Sequence, residues 1–268
     1  MLNTIGFLGC GNMGGAIARA VCKAADPQNV WLANRTAAKA EALAAELGCN
    51  TTINDEVAGR CDLIFLAVKP QMMEELLAPL RFTLAERPSR FVLCSMAAGL
   101  SIARIQEMAG SDCPVIRIMP NTPASVGAGM IQYCTSNVTA EEEAEFLKLM
   151  APAGRLDAVP EGLIDAASCV SGCGPAWVYQ FLEALADGGV ACGLPRAKAQ
   201  EYAAQMVLGS AKMVLESGQH PGALKDAVCS PGGSTIQGVR VLEEKGLRGA
   251  VIDAVLAAYD KTKEMGKG

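Results

Sequence analysis

From Thr4 to Met119, short apolar runs alternate with segments whose apolar residues recur at helical spacing. Continuous runs of Val, Ile, Leu and Phe indicate strands buried on both faces, and strands joined through helices are typical of a parallel sheet. The pattern therefore predicts a Rossmann-like, doubly wound α/β fold. The predicted strands are Thr4–Leu8, Val30–Ala33, Leu63–Val68, Phe91–Cys94 and Val115–Ile118, and the predicted helices are Asn12–Ala24, Thr36–Leu47, Gln71–Leu77 and Ser101–Met108.

A different pattern follows this region. Short strands are predicted at Met130–Tyr133 and Arg155–Val159, with a capping box formed by Thr139 and Glu142 between them. Beyond Glu161 the sequence predicts helices alone. We therefore expect a dinucleotide-binding domain over residues 1–160 and an all-helical substrate-binding and dimerisation domain over residues 161–268. The helical segments are Leu163–Val170, Pro175–Ala191, Arg196–Glu216, Leu224–Cys229, Thr235–Glu244 and Arg248–Met265.

Two of these helices, Pro175–Ala191 and Arg196–Glu216, carry apolar residues on more than one face. Such faces need a second buried contact. That contact is either the centre of the chain's own helical bundle or an interface with another subunit, and the sequence leaves both open.

Composition excludes several classes of protein. With 23 basic and 28 acidic side chains, the formal charge is −5, and no basic or aromatic patch indicates nucleic-acid binding. The longest apolar runs are far shorter than the roughly 18 residues of a membrane span, and the N-terminus lacks the basic start of a signal peptide. We expect a cytoplasmic protein without a membrane partner.

The histidine and cysteine content bears on metal and redox chemistry. His220 is the only histidine, which excludes a multi-histidine metal site, and we expect it to cap or decorate a turn. The chain has 11 cysteines, an odd number that favours reduced thiols over a disulfide framework. No metal is expected.

The segment Gly9-Cys10-Gly11-Asn12-Met13-Gly14 follows the first predicted strand and opens the first predicted helix. This is the dinucleotide fingerprint: Gly9 permits a tight turn, Gly11 lets a pyrophosphate approach the backbone, and Gly14 allows close packing of helix and strand. The N-terminus of the helix supplies amide donors for the phosphates. The motif in this context predicts a dinucleotide site.

The second predicted strand ends at Asn34-Arg35-Thr36, where an NAD enzyme usually places a carboxylate for the ribose hydroxyls. Without that carboxylate a 2′-phosphate is not repelled, and Arg35 can bind it. The sequence favours NADPH, with NADH as the alternative cofactor. Two further loops, Ala67-Val68-Lys69-Pro70 and Ser95 to Gly99, follow other strands and border the same predicted crevice.

Ser230-Pro231-Gly232-Gly233-Ser234-Thr235 lies between two predicted helices. Its glycines allow backbone amides to turn inward, and the next helix begins near Thr235, so the loop could hold a carboxylate or phosphate. A flexible connection with a Ser or Thr cap is the alternative.

The stretch from Leu224 to Thr235, continuing to Leu242-Glu243, resembles the signature of the pyrroline-5-carboxylate reductases, which make proline by reducing a cyclic imine with NAD(P)H. The resemblance extends through the glycine fingerprint, Ala67 to Pro70, Asn121-Thr122-Pro123, Ser171 to Ala176 and Asp187 to Val190, so it covers nearly the whole chain.

The resemblance implies particular roles for residues of this chain. It places Gly9, Gly11, Asn12, Met13, Asn34, Arg35, Asn54, Ala67, Val68, Lys69 and Ala97 at the cofactor. It places Ser230, Gly232, Gly233, Ser234 and Thr235 at the substrate, 1-pyrroline-5-carboxylate. It further implies an intertwined homodimer that can assemble into a larger ring such as a decamer. A glutamate found near the substrate in some members is replaced here by Gly218.

The implied chemistry requires no histidine, because a protonated imine accepts hydride and becomes a neutral amine. Our hypothesis is that the amides of Gly233, Ser234 and Thr235 bind the carboxylate. The Thr235 hydroxyl would form a hydrogen bond with the ring nitrogen, which makes Thr235 the catalytic residue. Catalysis would then be mainly alignment.

Three other functions compete with this one. A β-hydroxyacid dehydrogenase shares the two-domain plan, but it uses a Lys and Asn pair in its helical domain, and this chain has no Asn beyond Asn137. An imine reductase of wider scope and a noncatalytic NADPH-binding sensor remain alternatives.

Overall fold

The computed structural model describes residues 2–265 and contains an eight-stranded sheet followed in the chain by helices. The strands are β1 Ile5–Leu8, β2 Val30–Ala33, β3 Asn50–Thr51, β4 Leu63–Leu66, β5 Val92–Ser95, β6 Val115–Met119, β7 Gly129–Ser136 and β8 Gly154–Ala158. The helices are α1 Asn12–Ala24, α2 Ala37–Leu47, α3 Asn54–Arg60, α4 Met73–Leu77, α5 Arg81–Glu86, α6 Ile102–Ala109, α7 Ala140–Met150, α8 Glu161–Ser171, α9 Gly174–Ala191, α10 Arg196–Ser217, α11 Pro221–Ala227, α12 Ser234–Glu244 and α13 Leu247–Met265.

The strand order is β3-β2-β1-β4-β5-β6-β7-β8. The first six strands are parallel, β7 runs antiparallel to β6, and β8 is parallel to β7. The predicted doubly wound sheet is confirmed. The order reverses between β1 and β4, and ligands bind open α/β sheets at the carboxyl edge of such a reversal.

The core has two layers, one on each face of the sheet. On one face Phe7 and Phe65 stack with ring centroids 4.5 Å apart, and on the other Leu8, Ile64 and Leu66 pack together. Neighbouring residues of one strand thus enter opposite layers, which explains the unbroken apolar runs of the sequence.

Three elements before β6 are absent from the sequence prediction: β3, α3 and α5. β3 has only two polar residues, Asn50 and Thr51, while α3 has seven residues and α5 has six. None of them is long enough to establish a hydrophobic period.

The predicted capping box begins α7. The Thr139 hydroxyl accepts from the Glu142 amide at 3.2 Å, and the Glu142 carboxylate accepts from the Thr139 amide at 2.8 Å. Arg90 binds the same carboxylate with Nε 2.6 Å from Oε1. The Arg90 guanidinium lowers the pKa of Glu142 despite its partial burial.

Helix α8 packs on the sheet through polar contacts. Arg117 of β6, with 3% of its side chain exposed, pairs with Asp165 and lies 3.5 Å from Glu161. Asn121 donates to the Ser171 carbonyl at 2.9 Å, and the Ser171 hydroxyl donates to the Gln132 side chain at 2.9 Å.

This packing places α8 in the same compact unit as the sheet. That unit runs to Cys173 and includes the last turns of α13 from Ala258, while Gly174–Ala257 form the second unit. The compact units divide at a different residue from the domain boundary predicted at 160/161, and that boundary stays a prediction.

The regular secondary structure of the second unit is helical. α9 and α10 pack together through small residues: Ala186, Ala199 and Ala203 are buried, and a Cβ on Gly189 would lie 3.1 Å from Ala199 Cβ. Their remaining apolar faces are not covered by any part of residues 2–265. The exposed side chains on α9 and α10 include Val178, Tyr179, Phe181, Tyr202, Met206, Leu208, Met213 and Leu215, and Val251, Ile252 and Leu256 of α13 are exposed as well. Within residues 2–265, no helix combines the length and apolar character needed to cross a membrane.

Candidate cofactor and substrate sites

The glycine fingerprint forms a tight connection from β1 into α1. Gly9 has φ +113°, and a Cβ there would lie 2.5 Å from the Ala67 carbonyl oxygen. A Cβ on Gly14 would lie 2.5 Å from the Gly9 carbonyl oxygen and 2.9 Å from Ala67 Cβ. Both positions therefore require glycine, because backbone atoms cannot move aside as side chains do.

The start of α1 provides a place for an anion. Gly11 is the N-cap, makes no side-chain cap bond, and would direct a Cβ into open space. No acidic residue occupies the first turn, and Gly11 and Asn12 are exposed. The Met13 side chain instead packs on the core, so only its backbone is available there. Free amides and absent carboxylates suit a pyrophosphate.

Asn34 joins the glycine turn to the loop after β2. Its Oδ1 accepts from the Cys10 amide at 3.0 Å, and its Nδ2 donates to the Thr36 carbonyl at 2.9 Å. The neighbouring Arg35 is exposed and lines a cleft of about 460 Å³. Asn54, the first residue of α3, lines the same cleft.

Sequence reasoning missed other residues of this cleft. Glu41 of α2 and the segment Thr51 to Ile53 line it, and Ile53 is 65% exposed although apolar. An apolar residue directly before Asn54 was the available signal, but without β3 and α3 the sequence did not show where this segment turns.

The strand-end residues reach the same edge in different ways. Ala67 Cβ packs toward Gly14, and the Ala67 amide donates to the Leu8 carbonyl at 2.9 Å. Val68 is half-buried and Lys69 is exposed. Ala97 is 1% exposed, and its amide is 3.4 Å from the Ser95 hydroxyl. Ala97 thus shapes the edge from within, whereas Lys69 stands open to solvent.

Burial determines the protonation state of the Cys10 thiol within the fingerprint. Burial raises the pKa of Cys10 to about 11, so this group is a protonated thiol at neutral pH. It acts as a small apolar side chain, not as a nucleophile.

In the second unit, the Ser230–Thr235 loop connects α11 to α12. Gly232 has φ +71°, and a Cβ on Gly233 would collide with Ser230 Oγ. α12 begins at Ser234 with Gly233 as its N-cap, so Ser234 and Thr235 hold the first two helical positions. Both side chains are exposed.

The amides at the start of α12 differ in their hydrogen bonding. The Gly233 amide donates to the Ser230 carbonyl at 3.0 Å and is therefore engaged in the turn. The amides of Ser234 and Thr235 stand in the first turn, where a helix offers no acceptor. The role of the Ser230–Thr235 loop in binding an anion stays a prediction.

His220 is the N-cap of α11, as expected for a turn residue. Its Nδ1 accepts from the Gly222 amide at 3.0 Å. Within residues 2–265, no group of three or more His, Cys, Asp or Glu side chains has the arrangement of a metal site.

Known protein families match both parts of this chain. Residues 161–265 match the family model for pyrroline-5-carboxylate reductase dimerisation, and residues 4–99 match the model described as NADP oxidoreductase, coenzyme F420-dependent. The pyrroline-5-carboxylate reductase of Escherichia coli is 44% identical over 100% of both chains. The chain belongs to the pyrroline-5-carboxylate reductase family.

Other members of this reductase family extend the likeness. The enzyme of Methanosarcina acetivorans is 39% identical over 98% of each chain. The crystal structure of Plasmodium falciparum pyrroline carboxylate reductase with NADP bound is 35% identical, covers 99% of each chain, and gives a TM-score of 0.89.

Membership in the reductase family also bears on the open apolar faces of the second unit. The family model that matches residues 161–265 is a dimerisation model, and α9 to α13 lie within those bounds. Of the two explanations that the sequence left open, self-association is therefore the supported one.

Proposed function

We propose that this chain reduces 1-pyrroline-5-carboxylate to proline with NADPH. The observation that carries the proposal is the Ser230–Thr235 turn, which presents two helix-start amides and an exposed hydroxyl in a member of this family. It is an anion site with a hydrogen-bonding group beside it, as an imino acid requires.

The first unit would hold the cofactor. The amides of Gly11, Asn12 and Met13 bind the pyrophosphate, and Gly9 permits the turn that presents them. Arg35 binds the 2′-phosphate, and Asn34 keeps its loop in place. Asn54 serves the adenosine side, while Ala67, Val68, Lys69 and Ala97 border the nicotinamide side. Bound NADPH supplies a hydride from its nicotinamide ring.

The loop of the second unit would orient the substrate. The amides of Ser234 and Thr235 bind its carboxylate, and the Thr235 hydroxyl forms a hydrogen bond with the ring nitrogen. Ser230 closes the turn, and Gly232 and Gly233 leave room for the ring. One hydride joins the C=N carbon of the protonated imine, the π electrons become the lone pair of nitrogen, and the products are proline and NADP⁺. Alignment supplies most of the rate enhancement.

We infer that the reductase works as an intertwined homodimer. The open apolar faces of α9 and α10 support this assembly, since a larger, subunit-sized partner surface is needed to cover them. A larger ring such as a decamer is the further step that we propose. We also propose cytoplasmic residence and retain residues 1–160 and 161–268 as the two functional domains.

Steady-state oxidation of NADPH by purified protein with 1-pyrroline-5-carboxylate tests the function. NADH and a 3-hydroxyacid with NADP⁺ serve as controls. We expect saturable turnover that yields proline, faster with NADPH, and no oxidation of the hydroxyacid.

Other outcomes of this assay point elsewhere. Turnover of unrelated imines at equal kcat/KM would favour an imine reductase of wider scope. Intact NADPH binding without turnover of any imine would overturn the proposal and favour a sensor.

A further inference from the structure

The cleft beside the glycine turn contains one cationic and one anionic side chain. Arg35 and Glu41 both line it, and the other lining residues are Asn34, Ala37, Ala40, Thr51, Thr52, Ile53 and Asn54. A ligand in this cleft therefore meets opposing charges.

Asn34 does not supply the charge of a ribose-binding carboxylate. Its carbonyl oxygen accepts from the Cys10 amide and its amide group donates to Thr36, so the side chain is held between two loops. Among the lining residues, Arg35 and Glu41 are the two whose charges distinguish a 2′-hydroxyl from a 2′-phosphate.

Glu41 carries a negative charge that its surroundings leave uncompensated. Among residues 2–265, no cation lies within ion-pair distance of its carboxylate, and Arg35 forms no ion pair either. Glu46, little more than one turn further along α2, is by contrast paired with Arg19 at 2.6 Å. Both Glu41 and Arg35 are exposed, so both side chains interact electrostatically with a ligand in the cleft across solvent.

The neighbouring charges do not cancel this effect. Lys39 lies two residues from both Ala37 and Glu41 on α2, which places it on a different helical face. Asp55 and Glu56 of α3 accept hydrogen bonds from the Thr83 and Thr52 hydroxyls. Of the acidic groups at this edge, only Glu41 belongs to the lining.

We propose that Glu41 sets the cofactor preference of this reductase by opposing the 2′-phosphate that Arg35 attracts. The inference rests on the proposed NADPH-dependent function. The carboxylate repels the phosphate of NADPH and accepts from the free ribose hydroxyl of NADH. Together the two side chains limit the preference for NADPH over NADH, so that NADH also serves as a cofactor.

The test measures dissociation constants for NADPH and NADH by cofactor fluorescence, without substrate. In Glu41→Gln we expect the preference for NADPH to increase ~3-fold at low ionic strength, as for exposed charges a few ångströms apart in water. Glu41→Lys should increase it further. The difference from wild type should shrink at ~1 M salt, where the Debye length is ~3 Å. If the substitution acted only by changing the local structure, its effect on the cofactor preference would not decrease with salt concentration.

Glu46→Gln is the matched control, since it makes the same change in net charge on the same helix but outside the cleft. Its preference should equal that of wild type. An unchanged preference in both Glu41 variants would overturn the inference while leaving the proposed function intact. Failure of the wild-type protein to bind either cofactor would overturn the proposed function, and this inference with it.

Discussion

At Gly14, helix α1 lies against the loops after β1 and β4 without room for a methyl group, because a Cβ would meet the Gly9 carbonyl at 2.5 Å. We predict that Gly14→Ala lowers the free energy of unfolding by ~1–3 kcal/mol, as overpacking does. It should also weaken NADPH binding. Denaturant unfolding and cofactor fluorescence measure the two effects.

The adjacent glycine provides the control for that substitution. A Cβ on Gly15 would meet only the Arg19 Nη1 atom at 3.2 Å and Leu43 Cδ2 at 3.6 Å, and the Arg19 side chain can move. Gly15→Ala should be neutral or stabilise by up to ~1 kcal/mol through helix propensity. Equal losses in both variants would contradict the close-packing explanation.

Thr235 is the residue on which the proposed chemistry depends most. Thr235→Val keeps its shape and removes the hydroxyl, and we expect kcat/KM to fall ~10- to 100-fold, as for a lost hydrogen bond to a charged group. Thr235→Ser retains the hydroxyl and should stay within a few-fold of wild type. Steady-state kinetics measure both effects. Wild-type kcat and KM in Thr235→Val would exclude a catalytic role for the hydroxyl.

At this scale the sequence predicts residue types better than hydrogen-bond partners. Gly9 follows from the sequence because its turn has φ +113°, and Gly14 follows because a Cβ there would meet the Gly9 carbonyl oxygen. The His220 cap follows because Pro221 and Gly222 directly after it indicate a turn. The engagement of the Gly233 amide with Ser230 does not, because it depends on the exact path of a turn.

The first turn of α7 shows how an element responds to pH. The Glu142 carboxylate binds Arg90 and the Thr139 amide, and its pKa is lowered in the folded protein. Its contribution to stability is therefore complete above the ordinary glutamate pKa of about 4.3 and is lost as pH falls through the lowered folded-state value. We predict that Glu142→Gln is less stable than wild type at neutral pH and that this difference shrinks in acid. Urea unfolding across pH measures it.

A second substitution identifies the partner responsible. Arg90→Gln removes the other half of the ion pair and should remove most of the same pH-dependent stability. A Glu142→Gln difference that stays constant down to the acid limit would show that the carboxylate charge is not involved.

Among the elements, those with a distinct local signal are predictable and short polar ones are not. β1 and β4 are mostly apolar strands of four residues each, and the α7 capping box is defined by Thr139 and Glu142. β3 is held by its pairing with β2, and neither β3 nor α3 has a clear signal of its own. The sequence therefore does not predict the cleft that these two elements form with Glu41.

At the scale of the whole molecule, the helices of the second unit have apolar faces that stay exposed within residues 2–265. Leu208 of α10 is 63% exposed, and we expect Leu208→Glu to dissociate the dimer and abolish most activity. Phe82→Glu is the control, since Phe82 is 76% exposed on α5, in the other unit. Sedimentation velocity should give a smaller species for Leu208→Glu alone. A dimer that survives this change, with wild-type activity, would place the subunit interface elsewhere.

At the molecular scale, the sequence shows that α9 and α10 have surplus apolar surface but not what covers it. Periodicity records how many faces are apolar, whereas the partner is a property of the assembly. The exposure of Met206, Leu208 and Leu215 in the folded chain, together with the match to a dimerisation model, supports an interface with another subunit.

The proposed reaction transfers a hydride directly from NADPH to the imine carbon of 1-pyrroline-5-carboxylate. A single turnover with NADPH deuterated on the transferring face of its nicotinamide, followed by mass spectrometry of the product, tests it. We predict proline with one deuterium on the ring carbon that formed the C=N bond. Unlabelled proline, or label at any other carbon, would contradict the proposed chemistry.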